Sequence, residues 1–179
     1  MAQHIASSAA VCIGAQLEGA VTVGEQSALH PGATVCAKEG SIVLGERCFV
    51  EDGAVLMSNA PSEMLIGSGN LFESGCLVHS RRVGHNNWFE PKSEARDGSV
   101  IGSNCLIGSG VVVASGECVP DNTILVAVQM PCGDVRRVTQ MQRSYLSETH
   151  AALVQKYAEI FPRGSKSVYA LEKHHELRQ

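Results

Sequence analysis

The chain has 179 residues, 44% of them hydrophobic but only 4% aromatic, and a net charge of −4. That length can bury a sizeable core in one domain, and the negative balance argues against a nucleic-acid footprint. No stretch approaches the roughly 18 apolar residues of a membrane span and the N-terminus lacks a signal-peptide pattern, so a soluble intracellular protein is expected.

From Ile5 onward an apolar residue falls on every sixth position. The first run is Ile5, Val11, Leu17, Val23, Leu29, Val35; the next are Leu44, Val50, Leu56 and Ile66, Phe72, Val78. The longest is Val83, Phe89, Ala95, Ile101, Ile107, Val113, Val119, Leu125. All twenty positions are apolar, which at 44% hydrophobic composition has a chance of about one in ten million. Twelve are Val or Ile, residues that suit a buried pleated strand. A period of six is neither helical nor simply alternating; it is the sign of a hexapeptide parallel β-helix. Each hexapeptide supplies a short strand and a corner, three make a triangular coil, and coils stack at about 4.8 Å.

Seven coils then begin at Ile5, Val23, Leu44, Ile66, Val83, Ile101 and Val119, the last incomplete. A second inward set lies two residues earlier and is mostly small: Ala9, Ala15, Ser27, Ala33, Ala54, Cys76, Ser93, Cys105. Gly24, Gly45, Gly67, Gly84, Gly102 and Gly108 follow inward residues and are expected to serve corners. Three irregularities break the period: three extra residues around 38–43, four around 59–65, and one missing near Arg81-Arg82. All fall after the third hexapeptide of a coil, so they stack along one edge of the triangle, a usual place for a repeat protein to present a binding surface.

Beyond Val126 the period stops. Pro131-Cys132-Gly133-Asp134 reads as a loop with Asp134 as N-cap. Val138, Met141, Tyr145, Ala152, Leu153, Tyr157 and Ile160 recur at helical steps, predicting an amphipathic helix from 136 to about 161. A weaker helix is expected from 168 to about 178. The fold class expected is an all-β solenoid, a left-handed parallel β-helix of about seven triangular coils over residues 1–130, the period giving the coils and not their hand. The C-terminal α-helix and tail, residues 131–179, would cap it.

Chemistry is harder to find. Seven cysteines, an odd number with no CxxC pair, predict buried free thiols in a reducing compartment. Enzymes of this fold class with a zinc centre, the γ-class carbonic anhydrases, would place ligands at Met57, Ser74 and His79; only His79 is an imidazole. His30, His79 and His85 are available as an acyltransferase base, but none lies in a long extruded loop. No Ser/His/Asp set, phosphate-cradling loop or paired carboxylate site appears. No catalytic residue, metal ligand or cofactor is expected.

The chain resembles the dynactin subunit 6 family, hexapeptide-repeat subunits of the dynactin pointed-end complex. The resemblance rests on Leu29-His30-Pro31, Gly40-Ser41-Ile42-Val43-Leu44-Gly45-Glu46, Ile66-Gly67-Ser68-Gly69-Asn70-Leu71-Phe72-Glu73-Ser74-Gly75-Cys76, Gly84-His85-Asn86-Asn87-Trp88-Phe89-Glu90 and Arg136-Arg137-Val138. It spans nearly the whole chain, and the loop after Asn59-Ala60 is where this sequence departs, being shorter and poorer in Pro and acidic residues. The resemblance implies a non-enzymatic subunit supporting dynein-driven transport and cargo docking. It would be cytoplasmic and cytoskeletal, with dynactin subunit 5 and an actin-related protein as partners and dynein as an indirect one. The alternative is a homotrimeric enzyme of the carbonic anhydrase or acyltransferase type.

Two surfaces are candidates for docking a partner, and for the first of them a solvated acidic face is the other reading. Glu51, Glu73 and Glu90 follow inward residues of one face on successive coils and would stack as like charges. The first coil would leave an unpaired strand edge, with Cys12 at an outward position beside Val11.

Overall fold

The period of six is the register of the sheets. The computed structural model describes residues 3–131 and 135–141, together with 148, 149, 152, 155 and 156. On the first face, parallel pairing aligns Ile5, Val23, Leu44, Ile66, Val83, Ile101 and Val119. On the second, it aligns Val11, Leu29, Val50, Phe72, Phe89, Ile107 and Leu125. On the third, Leu17, Val35, Leu56, Val78, Ala95 and Val113 are in line. Seventeen of the twenty inward residues are buried. The three that are only partly buried, Ile5, Val11 and Leu17, all belong to the first coil, because among the described residues no strand pairs outside it.

Three faces nevertheless form two sheets. The strands Gln16–Val23 and Thr34–Leu44 run unbroken around the third corner and join the first and third faces into one sheet. A register shift between Glu18 and Ala20 marks the bend, where Gly19 takes φ +80°. The extra residues and the missing one do stack at this corner, as the sequence predicts.

The other corners turn three residues after each inward position. At the first corner five non-glycine residues hold the left-handed conformation there: Gln26, Arg47, Asn86, Asn104 and Asn122, with φ between 51° and 58°. The glycines that follow inward residues at this corner have a different reason, close stacking. A Cβ on Gly84 would sit 2.6 Å from the Gly102 carbonyl oxygen, a contact no side chain could make.

Hydrogen bonds lace the same corner from coil to coil. Ser27 Oγ accepts from the Cys48 N–H and donates to the Gly45 carbonyl. Asn70 Oδ1 accepts the Asn87 N–H at 2.9 Å, and Asn87 Oδ1 accepts the Cys105 N–H at 2.8 Å. Asn70 Nδ2 donates to the carbonyls of Gly67 and Gly84. Both asparagines are fully buried at positions that the sequence reading reserved for small residues. They are tolerated because the turns present donors and acceptors that would otherwise be orphaned.

The C-terminal expectation needs correction. Val135–Met141 is a strand, not the start of a helix. It pairs antiparallel with Thr123–Gln129, with Val126 opposite Val138 and Leu125 opposite Thr139, and it closes the second-face sheet. An antiparallel strand can cover a sheet edge more completely than a helix, since it satisfies the free backbone groups directly. Arg137 fastens this hairpin to the last coils. Its Nη2 lies 2.6 Å and its Nη1 2.9 Å from the two Glu117 oxygens, and Nη1 also donates to the Val112 carbonyl. The pair holds the Glu117 carboxyl below its usual range. Of the predicted helix beyond Met141 only residues 148, 149, 152, 155 and 156 are described, and these are helical and exposed. The helix expected from 168 to about 178 and the Asp134 cap lie outside the described residues.

Candidate functional site

The residue after each inward position of the second face opens the second corner. In chain order these are Cys12, His30, Glu51, Glu73, Glu90 and Gly108. Each donates its backbone N–H to the inward residue of the next coil, Cys12 to Leu29, His30 to Val50, Glu51 to Phe72, Glu73 to Phe89 and Glu90 to Ile107. All four residues expected to dock a partner thus stand in one column. The structure adds His30 between Cys12 and Glu51, where the sequence suggested only an isolated histidine.

The three glutamates are half-buried and not equivalent. Glu51 accepts the Ser74 N–H and hydroxyl, and Glu90 accepts the Ser109 N–H. Each carboxylate is therefore held by the first residue of the turn one coil on. For Glu73 that position is Pro91, which has no N–H to give. Burial raises the Glu73 carboxyl, a Trp88 hydrogen bond opposes this, and the charges of Glu51 and Glu90 add to the rise. Burial also lowers the His30 imidazole, against the pull of Glu51 and Asp52.

A carboxyl raised on folding favours the folded state when protonated and penalises it as pH rises through the folded value. Glu73→Gln should therefore raise Tm at pH 7 by about one or two degrees. The gain should fade as pH drops below the carboxylate range, where Glu73 itself is neutral. Thermal melts across that range check this; an equal gain at pH 7 and pH 3 would contradict it.

Cys12 points outward but is not a surface residue. It is 4% exposed and clusters with Ala10, Ala28, Phe49 and Leu71, against which Trp88 packs. These residues precede the second-face inward positions, so they lie on the outer side of the sheet, yet Phe49 is fully buried. The outer second face is thus shielded along these coils. Burial pushes the Cys12 thiol up to about 11, and a lysine there would bury a charge rather than probe a contact.

The three positions equivalent to zinc ligands are divided between corners. Met57 and His79 are neighbours in one column, because Leu56 pairs with Val78, whereas Ser74 sits at the second corner bound to Glu51. His85 belongs to the first corner, where its Nδ1 accepts the Ser68 N–H at 2.9 Å and its own N–H is accepted by Ser103 Oγ. It is a rung between coils, occupied by backbone. Among the described residues no three His, Cys, Asp or Glu side chains converge as a metal site, and no helix is long and apolar enough to cross a membrane.

The first coil offers a different kind of surface. Among the described residues His4–Ile5, Ala10–Val11 and the first-coil part of the Gln16–Val23 strand, Gln16 to Glu18, pair on one side only, with the second coil. Beside them Ile13 is 70% exposed, the most exposed large hydrophobic side chain described. Neither the charge pattern nor the period singles it out; only its place in the corner does.

No family model matches the chain. Among solved structures, a hexapeptide transferase family protein from Anaplasma phagocytophilum superposes with a TM-score of 0.75 over 88% of this chain and 89% of that one. Its identity is 17%, which speaks to the solenoid fold alone. Dynactin subunit 6 of Danio rerio is 32% identical over 133 residues, 68% of each chain. The Xenopus tropicalis protein of the same name is 32% identical over 132 residues, covering 68% of this chain and 66% of its own. With identity at that level across two thirds of the chain, the chain belongs to the dynactin subunit 6 family.

Proposed function

We propose that this protein is a non-enzymatic subunit of dynactin. It pairs through its first coil with a sister β-helix, dynactin subunit 5, at the pointed end beside an actin-related protein. There it supports dynein-driven transport by holding adaptors or cargo. Relatives named as a dynactin subunit support the role, and the observation that carries the docking mode is the first-coil edge, which no other strand among the described residues pairs. Such an edge presents free N–H and C=O groups that a neighbouring sheet can satisfy. Partly exposed Ile5, Val11 and Leu17 and the exposed Ile13 supply apolar area around it. The half-exposed column Glu51, Glu73 and Glu90 is a second surface, suited to a basic groove. A catalytic reading finds less support, since Met57 and Ser74 stand where zinc enzymes of this fold class would need imidazoles.

Ile13→Glu tests the docking mode, because an exposed side chain can change without unfolding the coil. The variant should melt like the wild type and bind purified dynactin subunit 5 at least about tenfold more weakly. Unchanged affinity would move the contact elsewhere.

A further inference from the structure

The irregular third corner holds a cleft. Residues 59–62 belong to an enlarged corner with four extra residues, whereas the corner of the next coil is one residue short. The step between them leaves a cavity of ≈ 300 Å³ that is open to solvent. That volume is about ten waters and stands at the lower end for ligand sites.

Polar groups that the protein leaves unengaged stand in a lining that is otherwise mostly apolar, with Ala60 and Met64 in the wall. Ser58 lies in the cavity wall, is only 6% exposed, and its hydroxyl makes no hydrogen bond among the described residues. Its neighbour in the wall, Ser80, is in contrast fully engaged with Ser99 at 2.8 Å. At the rim Arg81 is exposed and makes no ion pair among the described residues. His79 Nδ1 stands 3.9 Å from Asp97 Oδ1, too far for a hydrogen bond, and the Asp97 side chain is 67% exposed. Glu63 takes a single long contact from the Ser41 hydroxyl.

We propose that this cleft binds a short extended peptide segment of a partner protein, laid across the step at the third corner. The argument is the mixture of groups. A metal ion would meet the Arg81 guanidinium, and an anion would meet Asp97 and Glu63, so any ligand of one sign faces a like charge at the rim. An extended peptide alternates N–H donors with C=O acceptors. It can answer Asp97 and Glu63 with the first and Arg81 with the second. The Ser58 hydroxyl, either donor or acceptor, then exchanges solvent for a protein partner. Loss of such bonds on truncating either side is what gives a peptide site its selectivity.

The probe is a displayed library of random short peptides, panned against the full chain and counter-selected against an Arg81→Glu/Asp97→Lys double variant. A synthetic peptide from the best-enriched clone should bind the wild type and lose at least about tenfold in Arg81→Ala and in Asp97→Ala. Ser58→Ala should lose severalfold, and all variants should keep the wild-type Tm. Ile13→Glu should leave peptide binding intact, so this reading and first-coil docking can fail separately. Three outcomes would overturn the proposal. One is that no clone is enriched over the double variant. Another is a peptide that binds the single variants as tightly as the wild type. The third is perturbation of the His79 ring by inorganic phosphate that no selected peptide competes away, which would make the cleft an anion site.

Discussion

Replacing Ile107 by aspartate is expected to leave the chain without a cooperative unfolding transition. Ile107 is fully buried, in line with Phe89 on one side and Leu125 on the other. Phe89 in turn stacks on Phe72 with ring centroids 5.0 Å apart, so the substitution enters the apolar interior one coil from an aromatic stack. An unpaired carboxylate there costs about 5 kcal/mol or more, comparable with the whole stability of a domain, about 5–15 kcal/mol. Ile107→Leu, which keeps the volume, should cost less than about 1.5 kcal/mol. Circular dichroism during heating distinguishes the two. A soluble aspartate variant with the wild-type melt would mean that Ile107 does not face the interior.

Asn70→Leu is the second large effect, and it arises from polarity. Leucine fills a similar volume but leaves the Asn87 N–H and the Gly84 carbonyl without partners, and leaves the Gly67 carbonyl with the Cys48 thiol alone. At about 1–3 kcal/mol for each orphaned group, with partial relaxation, the loss should be about 2–5 kcal/mol. In a chain of this length that lowers Tm by about 5 °C or more. Gln at position 70 carries the same amide on a longer stem and should also fail, because the three bonds depend on reach. A drop of under about 2 °C for Asn70→Leu would show that the ladder contributes little.

The solenoid was legible in the sequence because its signal is local and repeated. A single inward residue such as Ile101 says nothing, but its pairing with Val83 and Val119 follows from a count of six. The buried asparagines were harder to foresee. They break the rule that the second inward position is small, and only the turn geometry shows that their amides replace backbone partners. The covered outer second face did leave a trace: Ala10, Ala28, Phe49, Leu71, Trp88, Leu106 and Ile124 are apolar in all seven coils. The equivalent first-face series His4, Thr22, Val43, Leu65, Arg82, Val100 and Cys118 is mixed. The hairpin was misread because Val138 and Met141 fit a helical step as well as a strand. Its partner strand, Thr123–Gln129, was the better clue, since a β-rich run that outlasts the repeat needs something to pair with.

The candidate surface was legible in part, for a physical reason. Stacking of Glu51, Glu73 and Glu90 follows from register alone, but their inequivalence depends on which residue opens the next turn. Pro91 denies Glu73 the donor that Ser74 and Ser109 give its neighbours. The cleft beside Ser58 depends on a difference between adjacent corners. The count of residues hints at a step there, but the vacancy is visible only in three dimensions.

The central claim is that this chain works as a subunit of dynactin and not as a free homotrimeric enzyme. The most direct measurement is to recover the tagged full chain from a cell extract under native conditions and to determine its mass and stoichiometry. The account predicts one copy in each dynactin-sized particle, with dynactin subunit 5 and an actin-related protein present in fixed ratio. A free trimer of this chain, with neither partner in stoichiometric amount, would contradict it.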